Sequence, residues 1–96
     1  MAHLLHTGLT DEAQIRTALE KEGYRHIFTW SDTAGTRYET HTHPHEEVRW
    51  VVWGKLVIVE EGVEIELGPG DKMTIEAEEP HSAYVLEDVR YLCGSR

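Results

Sequence analysis

The sequence predicts an all-β sandwich or barrel of antiparallel strands with one short N-terminal helix. From Tyr24 to Cys93, β-branched and aromatic residues recur in short runs of period two, each closed by a Gly-, Asp- or Pro-bearing turn. Only one window, Asp11 to Glu22, carries helix start and stop signals. No linker, repeat or low-complexity segment interrupts the 96 residues, which suffice for one modest core and not two. The expected division is residues 1–23 as a segment and helix packed on the sheet, and 24–96 as the β unit, together a single domain.

Residues 1–9, MAHLLHTGL, read either as a short edge strand or as a lead. In the helix, Thr10 is the expected N-cap, Asp11 and Glu12 suit the positive end of the dipole, and Gly23 stops the run. Ile15, Ala18 and Leu19 make a narrow apolar stripe that lays the helix on a sheet. Tyr24–Trp30 reads as the first strand of the β unit, and 31–35 as a loop. Arg37–His43 and Glu47–Trp53 follow, with Gly54-Lys55 as a tight connection into Leu56–Glu60. Glu61-Gly62 turns the chain into Val63–Leu67, whose apolar and acidic residues alternate. Beyond the turn 68–71 come Lys72–Glu76, the loop 77–80, and two strands, His81–Leu86 and Val89–Cys93.

Composition narrows the function. Eighteen acidic against nine basic residues give a net charge of −9, which disfavours nucleic acid and anionic membranes as partners. The single cysteine, Cys93, allows no internal disulfide and reads as a small buried hydrophobe. No run approaches the ~20 apolar residues of a membrane span, and the N-terminus lacks a secretory pattern, so a cytoplasmic protein is expected.

The chemistry concentrates between Gly35 and Gly54. On an extended strand His41 and His43 leave the same face, and Glu47 shares their odd parity. Pro44 favours a bend after His43. Two imidazoles and a carboxylate converging on one point form a transition-metal site with open positions, and His81 is a fourth candidate ligand. Such donors suit Fe, Mn, Ni, Co, Cu or Zn alike. Arg49 lies on the same predicted face, where the alternatives are binding an anionic group beside a metal, pairing with Glu47 or Glu66, or snorkelling out of the barrel. Ile65, Met73 and Ile75 are the expected apolar lining. Val48, Trp50 and Val52 have the opposite parity and form a strip to be covered by another sheet or by a partner. Tyr38 and Tyr84 are expected to pack or lie at the surface, and His45 and Glu46 to sit at the rim.

The spacing Gly35, five residues, His41-Thr42-His43, three residues, Glu47, six residues, Gly54 resembles the first motif of the cupin family. With its glycine at Gly70, the second cupin motif puts its histidine at His81; Glu76, Glu78 and Val85 stand where that motif has Pro, Gly and Asn. The resemblance implies a jelly-roll β-barrel, a metal on His41, His43, Glu47 and His81, and a homodimer. The segment Glu47–Val52 is similar to the acireductone dioxygenases, which implies a substrate-holding role for Arg49. The reading is a metal-dependent, dioxygenase-like enzyme for a small enolate, thiol or carboxylate. A non-catalytic ligand- or metal-sensing module, or a metal-dependent isomerase or lyase, are the alternatives.

Overall fold

The computed structural model describes residues 3–96, in the order β1 (His3–His6), α1 (Glu12–Lys21), β2 (Arg25–Asp32), β3 (Arg37–His41), β4 (Glu47–Glu60), β5 (Val63–Leu67), β6 (Asp71–Ile75) and β7 (His81–Ser95). Met1 and Ala2, the start of the ambiguous lead, lie outside the described residues. The rest of that lead resolves as an edge strand, with β1 paired to β6 from His3↔Thr74 to His6↔Asp71. The sheet therefore begins ahead of the helix rather than at residue 24. No helix among the described residues is long and apolar enough to cross a membrane.

Two long strands carry the architecture. β4 and β7 pair antiparallel from Glu47↔Ser95 to Val59↔Ser82. The sequence reading divided each into two; both are continuous, because Gly54 makes a kink rather than a turn. The register slips between Val51 and Leu56, and Gly54 takes a φ of 87°. A bulge of this kind bends the strand and raises its twist. The first half of β4 pairs with β6, and the facing half of β7 with β2. Beyond the kink the partners change to β5 for β4 and β3 for β7.

The kink also exchanges which parity faces inward. Val51 points to the core before it, and Leu56 and Ile58 after it, where they meet Met73, Ile75, Val85, Tyr91 and Cys93. Two half-sheets that share strands thus close face to face as a β-sandwich, an arrangement consistent with a jelly roll.

The helix closes the outer side. Its N-cap is Asp11 rather than Thr10: the Asp11 carboxylate accepts from the Gln14 N–H at 2.9 Å. Ile15 and Leu19 are fully buried against Val48, Trp50 and Leu92. The Trp50 indole N–H donates to the Leu9 carbonyl at 3.0 Å, which pins the chain entering the helix. The apolar strip of β4 is therefore covered from within the chain, not by a second sheet. Val48 and Trp50 offer no surface for the expected homodimer.

Gly54 should be the least replaceable glycine. A Cβ there would stand 2.0 Å from the Asp88 carbonyl oxygen, whereas at Gly62, with a φ of 76°, it would meet nothing within 4 Å. Both substitutions strain the backbone by roughly 1–3 kcal/mol. Gly54→Ala should exceed Gly62→Ala by a further ~2 kcal/mol in equilibrium urea unfolding, the cost of overpacking against main chain. Equal losses would show that the close approach of β4 to β7 is not what the glycine serves.

Candidate metal site

Three histidines meet where β3, β7 and the turn after β3 come together. His41 ends β3 and is the direct cross-strand partner of His81, the first residue of β7. His43 follows in the turn. Its carbonyl accepts from the Glu78 N–H at 2.7 Å, which fastens this turn to the loop preceding His81. The ring centroids lie 4.7 Å (His41–His43), 4.4 Å (His41–His81) and 5.3 Å (His43–His81) apart. One ring nitrogen from each falls within 4.8 Å of the others, the arrangement a single ion requires.

The tautomers follow from the partners. His41 Nδ1 lies 2.6 Å from the Glu39 carbonyl, and His81 Nδ1 lies 2.9 Å from the Glu79 carbonyl. A carbonyl only accepts, so both Nδ1 atoms carry hydrogen, and in the neutral ring it is Nε2 that presents the lone pair. His43 Nδ1 lies 3.2 Å from the Glu47 carboxylate. These are the partners that fix ligating imidazoles in metal sites. The Nε2 atoms of His43 and His81 are buried without a hydrogen-bond partner. Buried polar atoms are nearly always satisfied, and two such orphans on neighbouring rings fit an electron-pair acceptor between them. Burial, the dominant cause, lowers the pKa of both rings; for His43 the Glu47 carboxylate partly offsets it.

The two other site residues expected from the sequence are engaged with each other. Arg49 Nη2 donates to Glu47 Oε1 at 2.8 Å, and Nη1 donates to the Val48 carbonyl at 3.1 Å. Glu47 thus stands beside the histidine cluster, bridging His43 and Arg49, and is not one of the group gathered within 4.8 Å. His45 is exposed, and Glu46 is turned away to Tyr24 and Arg96.

The cluster opens on a cavity of about 290 Å³. Its walls include Arg49, Leu56, Ile58, Ile75 and Cys93. Burial pushes the Cys93 thiol up to about 11, so it is a neutral wall. Of the expected lining, Ile75 takes part; Met73 and Ile65 pack in the core instead. Sequence reasoning missed the aromatic side of the cavity: Phe28, Trp30, Tyr38 and Tyr91. The alternation Phe28, Trp30, Asp32 on one face of β2 was the available signal, but that strand is remote in sequence from the histidines.

A β-sandwich with a histidine cluster at the mouth of an interior cavity defines a class of small-molecule and metal-binding folds. The chain belongs to the cupin family within it: the Cupin domain model matches residues 28–94. Among solved structures it resembles a cupin superfamily protein from Desulfitobacterium hafniense, with a TM-score of 0.68 at 19% identity over 72% of this chain and 63% of that one. A DUF861 family protein from Thermotoga maritima matches over 100% of both chains, with a TM-score of 0.68 at 16% identity. The DMSP lyase DddQ from Ruegeria pomeroyi DSS-3 shares 28% identity and a TM-score of 0.66 over 73% of this chain. The present chain spans 36% of that lyase. No curated protein matches. Glu78, at the glycine position of the second cupin motif, has a φ of 63°, so the backbone keeps the glycine conformation without the glycine.

The depressed histidines set a pH dependence for the metal-free protein. Above pH ~6.5, the ordinary imidazole value, folded and unfolded chains are both neutral here and nothing is lost. As pH falls through that value the unfolded chain takes up protons first, and stability drops until the folded-state values are passed. Thermal melts from pH 8 to 5 should therefore show a smaller decline for His81→Gln than for the parent protein. A parallel decline would remove His81 as a cause.

Proposed function

We propose that this cupin is a metal-dependent enzyme of the dioxygenase type, acting on a small molecule with one anionic group: an enolate, thiol or carboxylate. The observation that supports it most is the pair of buried, unpartnered Nε2 atoms of His43 and His81, facing an apolar cavity beside His41. His41, His43 and His81 would hold one divalent transition metal, Fe, Mn, Ni, Co, Cu or Zn. When bound, such an ion supplies Lewis acidity toward an anionic oxygen or sulfur, and a redox-active one also supplies electrons to dioxygen.

The remaining work falls to the protein. The apolar walls exclude water, which strengthens every charge interaction inside. Glu47 orients His43 through Nδ1, and it is also the candidate carboxylate ligand, a role that requires its pair with Arg49 to open. Arg49, held at the cavity wall by Glu47 and the Val48 carbonyl, presents a fixed cation to the substrate anion.

The likeness to a DMSP lyase favours a second reading, elimination rather than oxygenation on the same histidines. Oxygen dependence separates the two: turnover that stops under argon supports a dioxygenase, and turnover indifferent to oxygen supports a lyase or isomerase. Protein purified without a histidine tag should carry near-stoichiometric metal by elemental mass spectrometry. Glu47→Gln keeps an acceptor for His43 and should weaken metal binding ~10–100-fold if Glu47 only orients that ring. His81→Ala removes a ligand outright and should cost more. Full occupancy in His81→Ala, or protein that refuses added metal, would overturn the metal reading and leave a ligand-binding module.

A further inference from the structure

The rim of the cavity is built differently from its floor. Phe28 and Trp30 are 49% and 48% exposed, although both line the cavity, and they meet edge to face at 6.2 Å. Tyr38 and Tyr91 complete this side. Their polar atoms are hydrogen-bonded to Asp32. The Asp32 carboxylate accepts from Trp30 Nε1 at 3.1 Å, from the Tyr38 hydroxyl at 2.8 Å and from the Tyr91 hydroxyl at 3.1 Å. With its donors turned back onto one carboxylate, the rim has ring surface and little hydrogen-bonding capacity to offer a ligand.

The charge of this region is unbalanced. Arg49 and Glu47 are paired with each other. Asp32 accepts from neutral groups alone, and no Lys or Arg among the described residues is ion-paired with it. Intrachain cations occupy other rings: Arg37 on Tyr84, Lys72 on Trp50 and Arg96 on Tyr24. Ring faces backed by an uncompensated carboxylate attract positive charge, and the absence of free acceptors disfavours a cation that needs hydrogen bonds. A primary ammonium keeps its water; an alkylated one loses little by entering.

We propose that Phe28, Trp30 and Tyr38 form a subsite for a fully alkylated cationic group, so that the ligand of this cavity is a small zwitterion whose anionic end reaches the histidines and Arg49. The volume of about 290 Å³ lies at the small end of ligand pockets, ~300–1,000 Å³, and suits such a molecule. The anionic half of the statement rests on the metal-site reading; the cationic half does not.

Isosteric pairs test the two halves separately in ligand-observed NMR titrations. On metal-stripped protein, tetramethylammonium should bind at least ~5-fold more tightly than neutral tert-butanol, the advantage a ring-bound cation commands. On metal-loaded protein, trimethylammonioacetate should surpass 3,3-dimethylbutanoate by a similar factor. Trp30→Leu, which keeps an apolar rim, and Asp32→Asn, which keeps an acceptor but not the charge, should each erase most of the preference, with thermal melts confirming that both fold. Neutral members binding as well as charged ones, or a preference that survives both variants, would overturn the subsite. A preference for tetramethylammonium with no gain from metal for trimethylammonioacetate would uphold the subsite and overturn the zwitterion.

Discussion

The structure depends on the ladder between β4 and β7. Of the strands, β2, β3, β5 and β6 each pair with one of these two, and β1 is joined through β6. Because the ladder bends at Gly54, a single pair of strands serves both layers of the sandwich, and the core forms between two halves of the same hairpin-like pair. Backbone geometry at one glycine therefore precedes any question of side-chain packing. A Cβ at that point would meet Asp88 and Val89 main chain, so the bend and the close approach of the two strands are one constraint.

What the fold delivers to the site is a set of three imidazoles, two of which, His43 and His81, burial makes harder to protonate. Such rings are costly to protonate and costly to leave unsatisfied, and both costs fall when an ion shares their lone pairs. The carboxylate nearest them is neutralised by Arg49, and the thiol of Cys93 stays protonated.

Much of this was legible in the sequence and the remainder was not, for identifiable reasons. The period-two patterning located the strands, and the parity of His41, His43 and Arg49 placed all three at the cavity. Strand breaks were misread at Gly54 and near Glu87-Asp88, since turn chemistry and bulge chemistry use the same residues; only long-range pairing distinguishes them. The cover over Trp50 was invisible because the helix returns from the N-terminus, far away in sequence. The aromatic rim was missed for the same reason: Phe28 and Trp30 reach the cavity through Cys93 and Tyr91, their partners across the sheet. Parity grouped Glu47 with His43 and Arg49, both of which it contacts, but which of its neighbours an acidic side chain will engage is decided at the scale of single hydrogen bonds.

His41 and His81 share a local device: each ring hydrogen-bonds the carbonyl of the residue two before it, Glu39 and Glu79. A main-chain oxygen cannot be mutated away. The aim of these two rings is therefore insensitive to which side chains occupy positions 39 and 79, and it survives any drift that preserves the local backbone path. Glu78, with a φ of 63°, holds the left-handed conformation on that path with a side chain present. Ring orientation here is inherited through shape, which lets the neighbouring sequence wander while the histidines keep their bearing.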